Sequence, residues 1–103
     1  MKKMLRKLQQ AIRTVASEYP NDPEHFYTSG LYWMESELLG DREPEECDRS
    51  KVRTQARFWI ALFESFAAMD VQVDVPGTDR TCLTDFVTGA REQARSTIDF
   101  VLA

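Results

Sequence analysis

Apolar residues recur along this chain at helical spacing in four stretches, separated by prolines, glycines and charged residues. Leu5, Leu8, Ile12, Val15 and Tyr19 follow one another at steps of three and four, which places them on one stripe of a helix running from about Lys2 to Glu18. Pro20 ends it. The second stretch opens on Asp22 as N-cap, with Pro23 at the first helical position and Glu24 at the positive end of the helix dipole. Gly40 closes it. Inside this helix Phe26, Tyr27, Leu31, Trp33, Met34 and Leu38 cover about 160° of the circumference, while Tyr32 and Leu39 fall on another face. A helix lying on a core needs one apolar stripe. This one carries more, so it is expected to be sandwiched between neighbours or to meet a partner.

The third stretch is expected to open at Pro44 and to run to about Met69, a helix of about 25 residues and about 37 Å. Val52, Ala56, Trp59, Phe63 and Phe66 form its stripe; Phe58, Ile60, Leu62, Ala67 and Met69 widen the apolar arc of its second half to about 200°. Such a helix outruns its shorter neighbour and is left with apolar surface to cover. After it, Val71, Val73 and Val75 alternate with polar residues, the period of a strand, and Pro76-Gly77 turns the chain. This predicts a short extended connector over 70–78 that either stands alone or pairs with its copy in a dimer. The last stretch runs from Asp79 or Thr81 to Leu102. Leu83, Phe86, Val87, Ala90, Ala94, Ile98 and Val101 share its inner face, and Gly89 beside the two alanines allows close approach of another helix.

Charge is unevenly distributed along the chain. The chain of 103 residues has a net charge of −4, and its first 17 residues hold five cations and no acid. The remainder holds eight basic against seventeen acidic residues. Nucleic-acid binding needs a net basic face, so it is not expected. The cationic first turn also opposes the dipole of its own helix, so it is read as solvated or matched by an acid elsewhere on the chain. "DREPEECD" gathers Asp41, Glu43, Glu45, Glu46 and Asp48 around Arg42. Its plain reading is a solvated, well-charged helix start; its functional reading is an acidic patch for a basic protein. Arg49, Lys51, Arg53 and Arg57 follow, with Glu45 and Arg49 at the i, i+4 spacing of an ion pair.

Candidate chemistry is sparse. His25 is the only histidine, which removes a His-rich metal site and a Ser-His-Asp triad; it is read as a solvated or capping side chain. Cys47 and Cys82 share no CxxC motif and are read as two free thiols. There is no Walker A loop, dinucleotide fingerprint or calcium loop. Glu37 lies within the aromatic arc of the second helix, where it needs an arginine such as Arg53 or Arg57, unless it sits at the edge in water. Arg6 and Lys7 interrupt the apolar core that a signal peptide would require, and the apolar run from Phe58 to Met69 is too short to span a bilayer.

These readings predict one all-α domain over 1–103, a four-helix antiparallel bundle that forms a homodimer and works in the cytoplasm without cofactor or metal. The expected function is a non-enzymatic regulatory or inhibitory module that covers another protein with apolar helix faces, of bacterial anti-activator or adaptor type. Phe26, Tyr27, Tyr32, Trp33 and Leu39 would meet the partner; Phe58, Leu62, Phe66, Met69 and Val73 would form the dimer seam. Two alternatives stand beside it: an immunity-type protein whose acidic patch neutralises a toxin, and a small helical enzyme or ligand carrier with a pocket between helices.

Overall fold

The capping residues set the helix limits. Asp22 adopts an extended backbone and its side chain accepts the His25 N–H, so α2 starts at Pro23. Gly40 takes a left-handed φ of 64° and donates its N–H to the Ser36 carbonyl, which ends α2 at Leu39. The structure, a computed structural model, describes residues 2–19, 22–69 and 77–102, with side chains described up to 65 in the third helix and 99 in the fourth. It is all-α: α1 (Lys2–Glu18), α2 (Pro23–Leu39), α3 (Arg49–Met69) and α4 (Arg80–Leu102) form a helical bundle, with no strand among the described residues. Val71, Val73 and Val75 of the expected connector lie outside the described residues; Gly77, at φ 82°, makes the turn that follows them.

The third helix differs from expectation. Pro44 opens only a single 3-10 turn, Pro44–Glu46, and Cys47 then returns to extended backbone. Asp48 is the effective cap: its carboxylate accepts the Ser50 and Lys51 N–H groups at 3.0 and 3.2 Å, and α3 begins at Arg49. With 21 residues α3 is shorter than predicted, about 31 Å. The break at Cys47 also removes the continuous helical register that Glu45 and Arg49 needed for an i, i+4 pair.

The helices α1 and α2 lie antiparallel. Lys7 pairs with Glu37 near one end at 3.3 Å, and Tyr19 stacks on His25 at the other with ring centroids 4.0 Å apart. The next helix, α3, returns along α2: the Cys47 thiol lies against the Leu39 carbonyl beside the connector, and Trp59 meets Trp33 further along. The closest helix pair is α2 with α4. Gly30 and Gly89 each lie against the opposing backbone, where a Cβ would collide with the Phe86 and Tyr27 carbonyls respectively. The fully buried side chains come from all four helices: Leu8 and Ile12, Phe26 and Met34, Ala56 and Phe63, Cys82, Phe86, Ala90 and Ala94. Each helix therefore gives one face to a common core, as the period of its apolar residues requires.

Candidate functional site

Trp33 occupies the centre of the aromatic cluster. Its ring meets Trp59 edge-on at 5.1 Å and Phe86 at 5.5 Å, and Trp59 stacks on Phe63 at 5.7 Å. Trp59 and Phe63 are core residues, whereas Trp33 is only partly buried. One residue before each tryptophan of this contact stands an outward aromatic. Tyr32 is 68% exposed and Phe58 is 59% exposed. The reason is rotational: a step of one residue turns a side chain by about 100° around the helix, away from a face already turned inward.

The remaining expected contact residues are placed as follows. Phe26 is fully buried, because α2 directs its main stripe into the bundle, and it offers no surface to a partner. Leu62 is likewise buried in the chain's own core and drops out of the proposed dimer seam. Leu39 is partly buried against that core. Tyr27, also partly buried, donates its phenol hydrogen bond to Glu92 of α4. That bond, with desolvation and the negative charge of Glu92, raises the phenol pKa above its ordinary value. The side chains of Phe66 and Met69, and Val73 altogether, lie outside the described residues. All five acids of the patch, Asp41, Glu43, Glu45, Glu46 and Asp48, are exposed, and Asp48 is engaged in capping α3.

A second feature is a groove between α1, α2 and α4, a cavity of about 440 Å³ open to solvent. Trp33 and Phe86 supply its aromatic lining, and Ala11 and Val15 line it from α1. Lys7, Gln10, Thr14 and Glu37 are its polar groups. Glu37 does not meet Arg53 or Arg57, as the sequence suggested. It pairs with Lys7, which matches one of the five cations of α1 with an acid from α2. Arg53 instead has its Nε buried with no hydrogen-bond partner. The groove itself is legible only in part from sequence: Trp33 and Glu37 are one helical turn apart and must share a face, but the α1 wall comes from tertiary packing.

His25 behaves as a cap. Its Nδ1 lies 2.7 Å from the Asp22 carboxylate, and its ring stacks on Tyr19. Desolvation pushes the Asp22 carboxyl upward, but the hydrogen bonds and charge of His25 outweigh this and hold it below the ordinary carboxylate value. Both cysteines are free thiols, Cys47 partly buried and Cys82 buried. Among the described residues no group of His, Cys, Asp and Glu could hold a metal ion, and no helix is long and apolar enough to cross a membrane. Compared with protein-family models, with curated proteins and with solved structures, the chain matches none of them.

Proposed function

We propose that this chain is a non-enzymatic regulatory or inhibitory module that binds another protein through outward helix faces, in the manner of an anti-activator or adaptor. The observation that carries this reading is the exposure of two large aromatics, Tyr32 at 68% and Phe58 at 59%, outside a core that already contains Trp59, Phe63 and Phe86. Aromatic side chains each offer about 150–250 Å² of contact area and are enriched where partners meet. Left in water, they add nothing to the stability of the fold. Leu39, seven positions after Tyr32 and so on the same side of α2, is partly covered by the core and borders that face toward the connector. A second copy of the chain is one partner such a surface would accept, with Phe58 kept in the seam and Leu62 left out of it.

The immunity-type reading is kept by a separate observation: five carboxylates between Asp41 and Asp48 are all exposed on the connector before α3. The two readings separate by salt. Association led by Tyr32 and Phe58 holds as ionic strength rises, whereas docking of a basic protein on the acidic connector slows and weakens steeply. The experiment is affinity capture with the wild-type chain and with Tyr32→Ala/Phe58→Ala, at low and at high salt. A partner kept at high salt by the wild type and lost by the double variant supports the proposal; a partner lost with salt and indifferent to the double substitution supports the acidic patch.

A further inference from the structure

We infer that the groove between α1, α2 and α4 is a binding site for a small cationic amphiphile, a primary amine carried on an alkyl or aryl body. The inference stands apart from the proposed protein-binding face, because it uses Trp33, Glu37 and the α1 wall rather than Tyr32 and Phe58. The cavity of about 440 Å³ falls within the usual size of small-molecule sites, and it has the usual make-up of an apolar lining with a few polar groups. Trp33 presents a partly exposed ring, backed by the buried ring of Phe86 5.5 Å from it. Ala11 and Val15 supply the aliphatic wall on α1.

The sign of the ligand charge follows from the ion pair in the groove. Lys7 Nζ lies 3.3 Å from Glu37 Oε2, and the lysine side chain is 50% exposed against 25% for the glutamate. Glu37 is thus the fixed, better-covered member of the pair, and Lys7 is a long flexible chain reaching in from solvent. A half-exposed pair of this kind contributes little and exchanges readily. Glu37 also stands one turn from Trp33 on the same face of α2, so an ammonium bound to the carboxylate sits beside an indole ring, where cation–π attraction adds to the charge pairing. In this arrangement Lys7 acts as an internal stand-in: its ammonium occupies the place the ligand's ammonium would take, and its stem lines the cavity.

Three probes that differ only in the head group test this: octylamine, octanol and octanoate, titrated into the isotopically labelled chain and followed by amide and indole NMR shifts. Octylammonium is expected to shift Ala11, Val15 and Trp33 saturably and to bind roughly tenfold tighter than octanol, with octanoate weaker still. Glu37→Gln should bring the amine down to the affinity of the alcohol. Lys7→Met, which keeps the apolar stem but removes the competing ammonium, should tighten the amine by roughly two- to fivefold. The inference is overturned if octanoate binds as well as the amine, if Lys7→Met weakens the amine, if the amine shifts only the acidic residues between Asp41 and Asp48, or if none of the three binds.

Discussion

Gly30 of α2 and Gly89 of α4 face one another's helix backbone: a Cβ on the first would strike the Phe86 carbonyl, and a Cβ on the second the Tyr27 carbonyl. Ordinarily alanine in a helix interior is favoured over glycine by about 1 kcal/mol. Here the contact is with rigid backbone, and overpacking costs about 1–3 kcal/mol or more. The collision wins, so Gly30→Ala and Gly89→Ala are each expected to destabilise the fold. Chemical denaturation checks the sign. An increase in stability for either would show that α2 and α4 are not held at this distance.

The two kinds of aromatic should separate cleanly in stability. Phe63 is fully buried and Trp59 nearly so, and their replacement by alanine should cost about 3–5 kcal/mol. Tyr32→Ala and Phe58→Ala should stay within about 0.5 kcal/mol of wild type, as exposed substitutions do. Trp33, partly buried between Trp59 and Phe86, should fall between the two groups. Urea unfolding of the five variants orders them.

The Tyr27–Glu92 bond links α2 to α4 in a pH-dependent way. The folded-state pKa of Tyr27 is raised, first by its hydrogen bond to Glu92, then by desolvation and the charge of Glu92. A raised pKa means that the folded state favours the neutral phenol. Its contribution is fully present below the unfolded value of about 10 and is lost as pH rises through the higher folded value. Wild type should therefore be more stable than Tyr27→Phe at neutral pH, and the difference should vanish in strong alkali. An unchanged difference across that range would contradict the bond.

At the other end of the scale lies Asp22. Desolvation alone would raise its pKa, but His25 brings it below the ordinary carboxylate value. The stability it adds is present above the unfolded value of about 3.9 and is lost as pH falls through the depressed folded value. Asp22→Asn keeps a capping oxygen but not the charge. Its melting temperature should lie below that of wild type near neutrality and converge with it in acid.

Thiol reactivity gives an independent reading of the core. Burial pushes the Cys82 thiol pKa up, and the negative charges of Asp79, Asp85 and Asp22 add to it. Both effects oppose the reactive thiolate. Iodoacetamide should label Cys47 first and reach Cys82 only on unfolding, as mass spectrometry of the native chain would show. Equal labelling of the two would contradict the buried position of Cys82.

The limits of α1, α2 and α4 were legible because each is set by local chemistry, such as the Asp22-Pro23 start and the Gly40 stop. The start of α3 was not. Pro44 with acids behind it satisfies a 3-10 turn as well as an α-helix, and only the extended backbone at Cys47 separates the two. Gly89 was readable as a place for close approach, but Gly30 in mid-helix looks like a weak point until the α4 backbone is set against it. Tyr32 was rightly placed off the main face of α2. Phe26 lay on the main apolar arc of α2, and its burial follows from that; Leu62 was not separable from surface residues, because periodicity gives the faces of a helix but not which neighbour covers each one. Glu37 found Lys7 rather than Arg53 for the same reason: the partner came from α1, thirty positions away in sequence.

In the proposed function Tyr32 and Phe58 serve association and not the fold. The most direct measurement takes one preparation of Tyr32→Ala/Phe58→Ala beside wild type and records, for both, the melting temperature, the molar mass by light scattering and the proteins retained on affinity capture. Matching melting temperatures are expected, with wild type either near twice the 11.9 kDa chain mass or holding a partner that the double variant loses. A double variant that melts well below wild type, or one that matches wild type in both mass and retained proteins, would contradict it.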